Sequence, residues 1–220
     1  MSRSPFAPSF EQLPSALPIF PLTGVLLLPR GKLPLNIFEP RYLAMTRDAL
    51  GADRLIGMIQ PQEGGDDGDA PPVYRTGCAG RMTSFSETDD GRYLITLTGV
   101  ARFDIAEELP RDRLYRRVAA DWQRWRGDLD DVPRAVDRKR LLAALKPFFL
   151  RNGIDADWEA VESTSDERLV TTIAMGCPFQ PSEKQALLEA ADTAERARLL
   201  TALVEMEVHS GAEPDDSVRH

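Results

Sequence analysis

Lysine, histidine and cysteine are scarce in this 220-residue sequence, and their spacing argues against catalytic chemistry, while carboxylates are plentiful enough that adjacent acids say little. The lysines are Lys32, Lys139, Lys146 and Lys184. A serine–lysine dyad needs an amine held out of water beside a hydroxyl. The last three lysines fall on predicted helix faces, where a solvated charge is expected. His209 and His220 both lie in the C-terminal tail, so neither a histidine-based dyad or triad nor a His/Cys zinc site is expected. Cys78 and Cys177 are far apart and outside any C-x-x-C pair. Buried reduced thiols are the expectation, with a disulfide or a reactive thiol as the alternative. A phosphate-binding loop requires G-x-x-x-x-G-K-[ST], because its amides wrap the phosphates and its hydroxyl holds magnesium. The nearest fragment, Gly24 to Gly31-Lys32, is too long and places Leu33 where the hydroxyl belongs. No G-x-S-x-G elbow occurs. The adjacent acids Glu107-Glu108 and Asp130-Asp131 would point apart on an extended chain. The run Gln62–Asp69 is acidic and glycine-rich but lacks the EF-hand spacing, so it reads as a solvated loop. No metal and no cofactor is expected. Glu39 and Arg41, which flank Pro40 just after Phe38, suit an ion pair or a helix cap, with direct contact to a peptide as the alternative.

The charge balance points the same way. The formal net charge is −8, whereas a general nucleic-acid binder needs an electropositive face to displace counterions from phosphates. A local exception is the run Arg111, Arg113, Arg116, Arg117, Arg124 and Arg126, which would favour RNA if it formed a basic strip. No apolar run approaches the ~20 residues of a membrane helix. The start, MSRSPFAPSFEQLPSA, has no apolar stretch of the kind a signal peptide carries. A cytoplasmic location is therefore expected.

The elements that would position any site divide by period. Residues 1–14 read as a flexible arm and 15–126 as β-rich. The apolar runs Leu17–Leu22 and Val25–Leu28 are cut by Pro18, Pro21 and Pro29, and proline cannot donate to a ladder, so strands of edge character are expected. A turn at Pro29-Arg30-Gly31-Lys32 leads to a strand over Leu33–Phe38. Pro40 then opens a helix to Leu50, with Tyr42, Met45 and Ala49 at helical spacing. Short strands follow at Arg54–Gln60 and Arg81–Ser86. Asp89-Asp90-Gly91 suits a hairpin turn into the alternating run Tyr93–Thr98. Gly99 permits a bulge before the strand continues through Phe103 and Ile105. Tyr115–Trp125 alternates again.

From Pro133 the period becomes helical, so 133–208 reads as a helical subdomain joined near Gly127–Val132, with 209–220 as a disordered tail. Pro147 should kink the first helix or start a new turn. Asn152-Gly153 closes that helix and Asp155 caps a short one. Capping boxes are read at Thr164–Glu167, Ser182–Gln185 and Asp192–Glu195. Ala197, Leu200, Leu203, Val204 and Val208 form one apolar stripe.

Several segments together resemble a known family. These are Leu17-Pro18-Ile19-Phe20-Pro21-Leu22, Leu33 through Tyr42, Ile56-Gly57-Met58-Ile59-Gln60-Pro61, Gly77-Cys78-Ala79-Gly80-Arg81, and Gly91 through Phe103. In order and spacing they are similar to the amino-terminal, substrate-binding domain of the Lon proteases. The C-terminal half is similar to short bacterial proteins that carry this domain alone, and the likeness spans roughly residues 15–208. The resemblance implies an α+β fold: a β-rich PUA-like barrel with one helix, followed by an antiparallel helical bundle. It implies a non-catalytic module that binds unfolded or extended polypeptide, with a protease or chaperone as a further partner, and that helps recruit unfolded or tagged proteins for degradation. Exposed apolar pockets or a sheet edge would be needed. The candidates are the proline-broken strands of Leu17–Pro29 and the surface at Phe38, Glu39, Arg41 and Tyr42. The alternatives are an RNA-binding PUA-like module and an unrecognised hydrolase.

Purified protein incubated with ATP and with casein is expected to release no phosphate and cleave no peptide bond. Sustained turnover of either substrate, abolished by a point substitution in this chain, would overturn the non-enzyme expectation.

Overall fold

The computed structural model describes residues 8–62, 64, 71–130 and 134–210. Six strands build one sheet: β1 (Ala16–Pro21), β2 (Lys32–Ile37), β3 (Leu55–Ile59), β4 (Thr76–Glu87), β5 (Tyr93–Glu108) and β6 (Arg117–Asp121). The helices are α1 (Pro40–Leu50), α2 (Arg138–Arg151), α3 (Trp158–Ser163), α4 (Asp166–Gly176), α5 (Pro181–Glu189) and α6 (Thr193–Ser210). Two 3-10 segments, Phe10–Gln12 and Gln123–Leu129, complete the fold.

The sheet order is β2-β5-β4-β3-β1-β6, and β6 also pairs with β5. Length makes this possible. The first part of β5 lies against β2, and its last part, Asp104–Glu108, lies against β6. Between them, Gly80 pairs with Gly99 and Ala79 with Ala101, so Val100 is the extra residue of a bulge. Gly99 is required there for a second reason. A Cβ on it would stand 2.0 Å from the Leu28 carbonyl oxygen. That close approach lets the Gly99 and Arg30 amides donate to the Gly31 and Gly99 carbonyls, each at 2.8 Å.

The prolines of β1 do not mark an edge strand, because β1 lies between β3 and β6. Ala16–Pro18 register with β6 and Ile19–Pro21 with β3, so each half of the strand has its own ladder partner. The missing donors of Pro18 and Pro21 are thereby tolerated. Leu17 and Ile19 are fully buried, which removes this strand as a docking edge. Val25–Leu28 is no strand at all; Leu26, Leu27 and Leu28 are buried in a loop pinned to β5.

Two apolar clusters result. The smaller joins Leu17, Ile19, Leu55, Ile59, Ala101, Phe103, Val118 and Trp122 from β1, β3, β5, β6 and the segment after β6. The larger joins sheet residues such as Met58, Met82 and Leu97 to α1 and to Leu145, Phe148, Val170, Leu187, Leu200 and Val204 of the later helices. Sheet and helices therefore share a core. Within the helical part, α6 packs against α2, α4 and α5.

Local expectations shift by a few residues where other partners win. Phe10 and Leu13 of the expected arm pack on the smaller cluster, and the Trp122 indole donates to the Pro14 carbonyl; residues 1–7 lie outside the described residues. The strand expected over Tyr115–Trp125 is shorter, giving way to the 3-10 turn at Gln123. α2 runs through Pro147 as one helix, its last turn anchored by buried Phe148 and Phe149. Gly153, at φ +62°, ends it as expected. Asp157, not Asp155, caps α3 by accepting from the Ala160 amide. Ser165 is the N-cap of α4, and Thr164 instead donates to the Ala160 carbonyl. At α5 the reciprocal partner is Glu183, which accepts from the Gln180 amide. Asp192 caps α6 as read, and that helix includes His209. The remaining tail, most of the acidic loop after Gln62, and the join at 131–133 lie outside the described residues.

Arg102 of β5 is 3 % exposed and forms a two-pronged ion pair with Asp128 at 2.6–2.8 Å. Removing one member of such a pair strands a buried charge, at a cost of about 3–5 kcal/mol. Arg102→Ala and Asp128→Ala are each expected to lower the urea midpoint by a corresponding amount. Arg92→Ala, at the exposed Asp90 pair, is expected to leave it unchanged.

Candidate functional site

The turn before β2 sets the geometry of a groove. Leu28-Pro29-Arg30-Gly31 closes with the Gly31 amide donating to the Leu28 carbonyl at 2.9 Å. Arg30, not a glycine, takes the left-handed conformation, with φ +64°. Proline at the second position and positive φ at the third is the type II pattern, and a non-glycine there is strained. The side chain holds the strain in place. Arg30 pairs with Glu167 of α4 and donates to the Asp130 carbonyl at 2.7 Å. The turn is thus tied to the helical part across the mouth of a cavity of about 820 Å³.

One wall is Gly24, Val25, Leu26 and the start of β2 through Pro34; the other is α4, with Lys184 of α5. Arg168, Thr172 and Met175 recur at helical spacing and face the groove together. Gln60, 2 % exposed, braces one wall against the start of α5. It accepts from the Gly24 amide at 3.1 Å and donates to the Pro181 carbonyl at 2.9 Å. Lys184 donates to the Gly24 carbonyl at 2.8 Å.

Lys184 corrects an expectation. It is 8 % exposed, not solvated, and burial lowers its pKa. Among the described residues no hydroxyl is hydrogen-bonded to Lys184, whose bond goes to the Gly24 carbonyl. Both cysteines are buried and free. Burial pushes the Cys177 thiol up to about 11, against a smaller lowering by Lys184, and raises Cys78 further. Both stay protonated at neutral pH and are poor nucleophiles. Among the described residues no group of His, Cys, Asp or Glu could hold a metal ion.

The four residues singled out from sequence separate. Phe38 is 64 % exposed at the far end of β2. Exposed Leu94 lies on the neighbouring strand, where Asn36 registers with Leu94 and Ile37 with Tyr93. Glu39 and Arg41 form an ion pair at 2.8 Å, and Glu39 makes no side-chain cap to α1. Tyr42 is buried at 6 %, its ring 4.0 Å from that of Phe20. Burial raises its pKa. Tyr42 is therefore core, not contact surface, because the first turn of α1 rotates it onto the sheet.

The arginines of 111–126 do not form a bare basic strip. Arg113 pairs with Asp48 at 3.0 Å, Arg116 with Glu108 at 2.9 Å and Arg117 with Asp112 at 2.6 Å. Arg111 and Arg124 also face carboxylates, and Arg126 covers the Phe10 ring. Of the adjacent acids, Glu108 is taken by Arg116 and Asp131 lies outside the described residues. Among the described residues no helix is long and apolar enough to cross a membrane.

The family model for the ATP-dependent protease La (LON) substrate-binding domain matches residues 16–205. The Lon protease of Anaeromyxobacter dehalogenans is 28 % identical over 199 residues, covering 88 % of this chain and 23 % of that protein. Lon protease 2 of Myxococcus xanthus is also 28 % identical, with 88 % and 24 % covered. The chain thus spans about a quarter of the length of these relatives. Among solved structures, a Lon N-terminal domain protein from Xanthomonas campestris superposes with a TM-score of 0.61 at 23 % identity, covering 85 % of this chain and 97 % of that one. The N-terminal domain of the Mycobacterium avium complex Lon protease gives 0.58 at 19 % identity, with 86 % and 97 % covered.

The division between Phe38 and Tyr42 is measurable. Tyr42→Ala is expected to cost about 3–5 kcal/mol in denaturant unfolding, as for other buried aromatics. Phe38→Ala is expected to leave the midpoint unchanged. Equal losses for the two would mean that Phe38 is also core.

Proposed function

Since the chain belongs to the Lon substrate-binding-domain family, we propose that it is a non-catalytic module for recognising unfolded or extended polypeptide segments, with the groove between β2 and α4 as its principal site. The observation that carries this reading is the groove's lining. Val25, Leu33, Pro34 and Met175 offer apolar surface beside the free side of an edge strand, as extended-chain recognition requires. Phe38 and Leu94 extend that apolar surface to the other end of β2. Glu39 and Arg41 frame it as a mutually neutralised pair. Pro34 removes one donor from the middle of the edge, which favours side-chain pockets over a continuous added strand.

The return of β6 to β5 supports a PUA-like barrel for residues 15–126, and the packing of α6 supports an antiparallel helical bundle for 133–208. Helping to recruit unfolded or tagged proteins for degradation, with a protease or chaperone as a second partner in the cytoplasm of a bacterium, is the physiological role this reading favours. An RNA-binding role is disfavoured by the carboxylate partners of the arginines at 111–117.

The test uses unfolded casein and fluorescence anisotropy. Binding is expected to persist at about 0.3 M salt, where phosphate-driven RNA binding falls steeply. Thr172 is exposed in the groove and both native cysteines are buried, so Thr172→Cys can be labelled selectively. A bulky maleimide there is expected to weaken casein binding about tenfold, or ~1.4 kcal/mol. Unchanged affinity after complete labelling would exclude the groove, and tight salt-sensitive RNA binding without casein binding would overturn the proposed function.

A further inference from the structure

The groove is basic on an acidic chain. The chain carries a net charge of −8, yet Arg30, Lys32, Arg168 and Lys184 line the groove against a single carboxylate, Glu167. Arg30 takes that carboxylate. Lys32, Arg168 and Lys184 are left with no carboxylate partner among the described residues. They come from three elements: Lys32 opens β2, Arg168 lies in the first turn of α4, and Lys184 lies in α5.

Lys184 is the most informative of the three. It is buried, and its one hydrogen bond is to the neutral Gly24 carbonyl at 2.8 Å. An ammonium has three donors, so two remain for a ligand. A cation held out of water without a counter-ion is unfavourable, and an incoming anion relieves that in a medium where Coulomb attraction is less screened than in bulk water. Burial lowers the pKa of Lys184, as expected for a cation lacking such a partner. Lys32 and Arg168 are exposed at the rim, where they can steer an anionic segment inward.

The rest of the lining is apolar. Val25, Leu26 and Leu33 lie on one wall. Met175, whose unbranched thioether adapts to differently shaped partners, lies on the other. Resting on the polypeptide-binding reading above, we infer that the groove selects extended segments in which acidic side chains alternate with or flank apolar ones. The cations are spread over three elements along the groove, which fits internal Asp or Glu side chains better than one terminal carboxylate.

The experiment uses the full chain and short acetylated, amidated peptides that share a Leu/Val/Gly frame and differ only in carrying Glu, Gln or Lys at the same positions. Anisotropy is expected to show Glu binding about tenfold more tightly than Gln, with Lys weakest, and the difference is expected to shrink as salt rises. Both rim cations are exposed, so Lys32→Glu with Arg168→Glu should fold normally, which circular dichroism checks. In that double variant the order is expected to reverse, with the Lys peptide preferred. A structural role for these residues would not produce such a reversal.

Equal binding of Glu and Gln peptides, or an unchanged order in the double variant, would overturn the acidic preference. If both peptides are then lost on blocking Thr172→Cys, polypeptide binding in the groove still stands. A Gln peptide with a free C-terminal carboxylate that matches the Glu peptide would overturn the side-chain assignment in favour of the chain terminus. Failure of every peptide and of unfolded casein to bind the folded protein would overturn the polypeptide-binding reading and this inference together.

Discussion

The buried guanidinium of Arg102 is the interaction on which the arrangement of sheet and helices depends. Its five N–H donors are all used. Asp128 takes two, the Leu188 and Ala190 carbonyls take one each, and the Ala191 carbonyl takes the fifth at 3.3 Å. The Trp125 ring covers its face at 3.8 Å. One side chain thereby joins β5, the 3-10 turn after β6 and the corner between α5 and α6. Desolvating such an ion pair is costly, and the Coulombic gain offsets that cost only when the remaining donors are satisfied. Here they are, and the same Trp125 donates to Asp104, which also accepts from Thr76. Arg196 shows the contrasting case nearby. It is 5 % exposed and donates to the Leu187 carbonyl, but burial and the Arg102 charge depress its pKa to about 10.

Fixing that corner fixes the groove. α5 begins beside Gln60 and Gly24, and its far end is held by Arg102, so Lys184 between them has little freedom to reach solvent. α4 is held independently through Arg30 and through Arg138, which pairs with Asp166 at 2.6 Å. The two walls are thus positioned by polar contacts reaching across the shared apolar core. A preformed groove spares an incoming chain the cost of ordering its receptor, which suits a module whose ligands themselves lose conformational freedom on binding.

The sequence made most elements legible because their signals are local. Pro40 at the start of α1, the Asp89-Asp90-Gly91 turn, the Gly99 bulge and the Asn152-Gly153 stop each depend on a residue's own backbone preferences. The errors arise where a distant partner decides. Pro18 and Pro21 suggested an edge, but β1 exchanges one ladder partner for another midway along its length. Tyr42 and Phe38 are both aromatic and four residues apart, yet only the register of β2 and the rotation of α1 separate surface from core. Lys184 was readable in part: it stands four residues before Leu188, on the face that helical periodicity assigns to the core. Arg102, between Ala101 and Phe103 in an apolar strand, carried a similar signal. Neither spacing could reveal what each buried cation bonds to, because Asp128 for Arg102 and the Gly24 carbonyl for Lys184 belong to other elements.

The distribution of arginine and lysine partners gives the last step. Many surface arginines find an acid: Arg92 with Asp90, Arg113 with Asp48, Arg116 with Glu108, Arg140 with Glu205. Such exposed pairs contribute little stability individually, but they neutralise the field locally. Beside β2 four cations line one groove with a single carboxylate, on a chain with acids in excess of bases. A buried lysine without an acid persists in a fold only where something else outweighs its desolvation. The polar contacts in the groove hold its backbone neighbours, Gly24 and Gln60, but supply no negative charge. Under the proposed reading, the unmatched charge goes with the groove's open volume and apolar lining as a property of binding, and the edge strand beside it favours an extended chain.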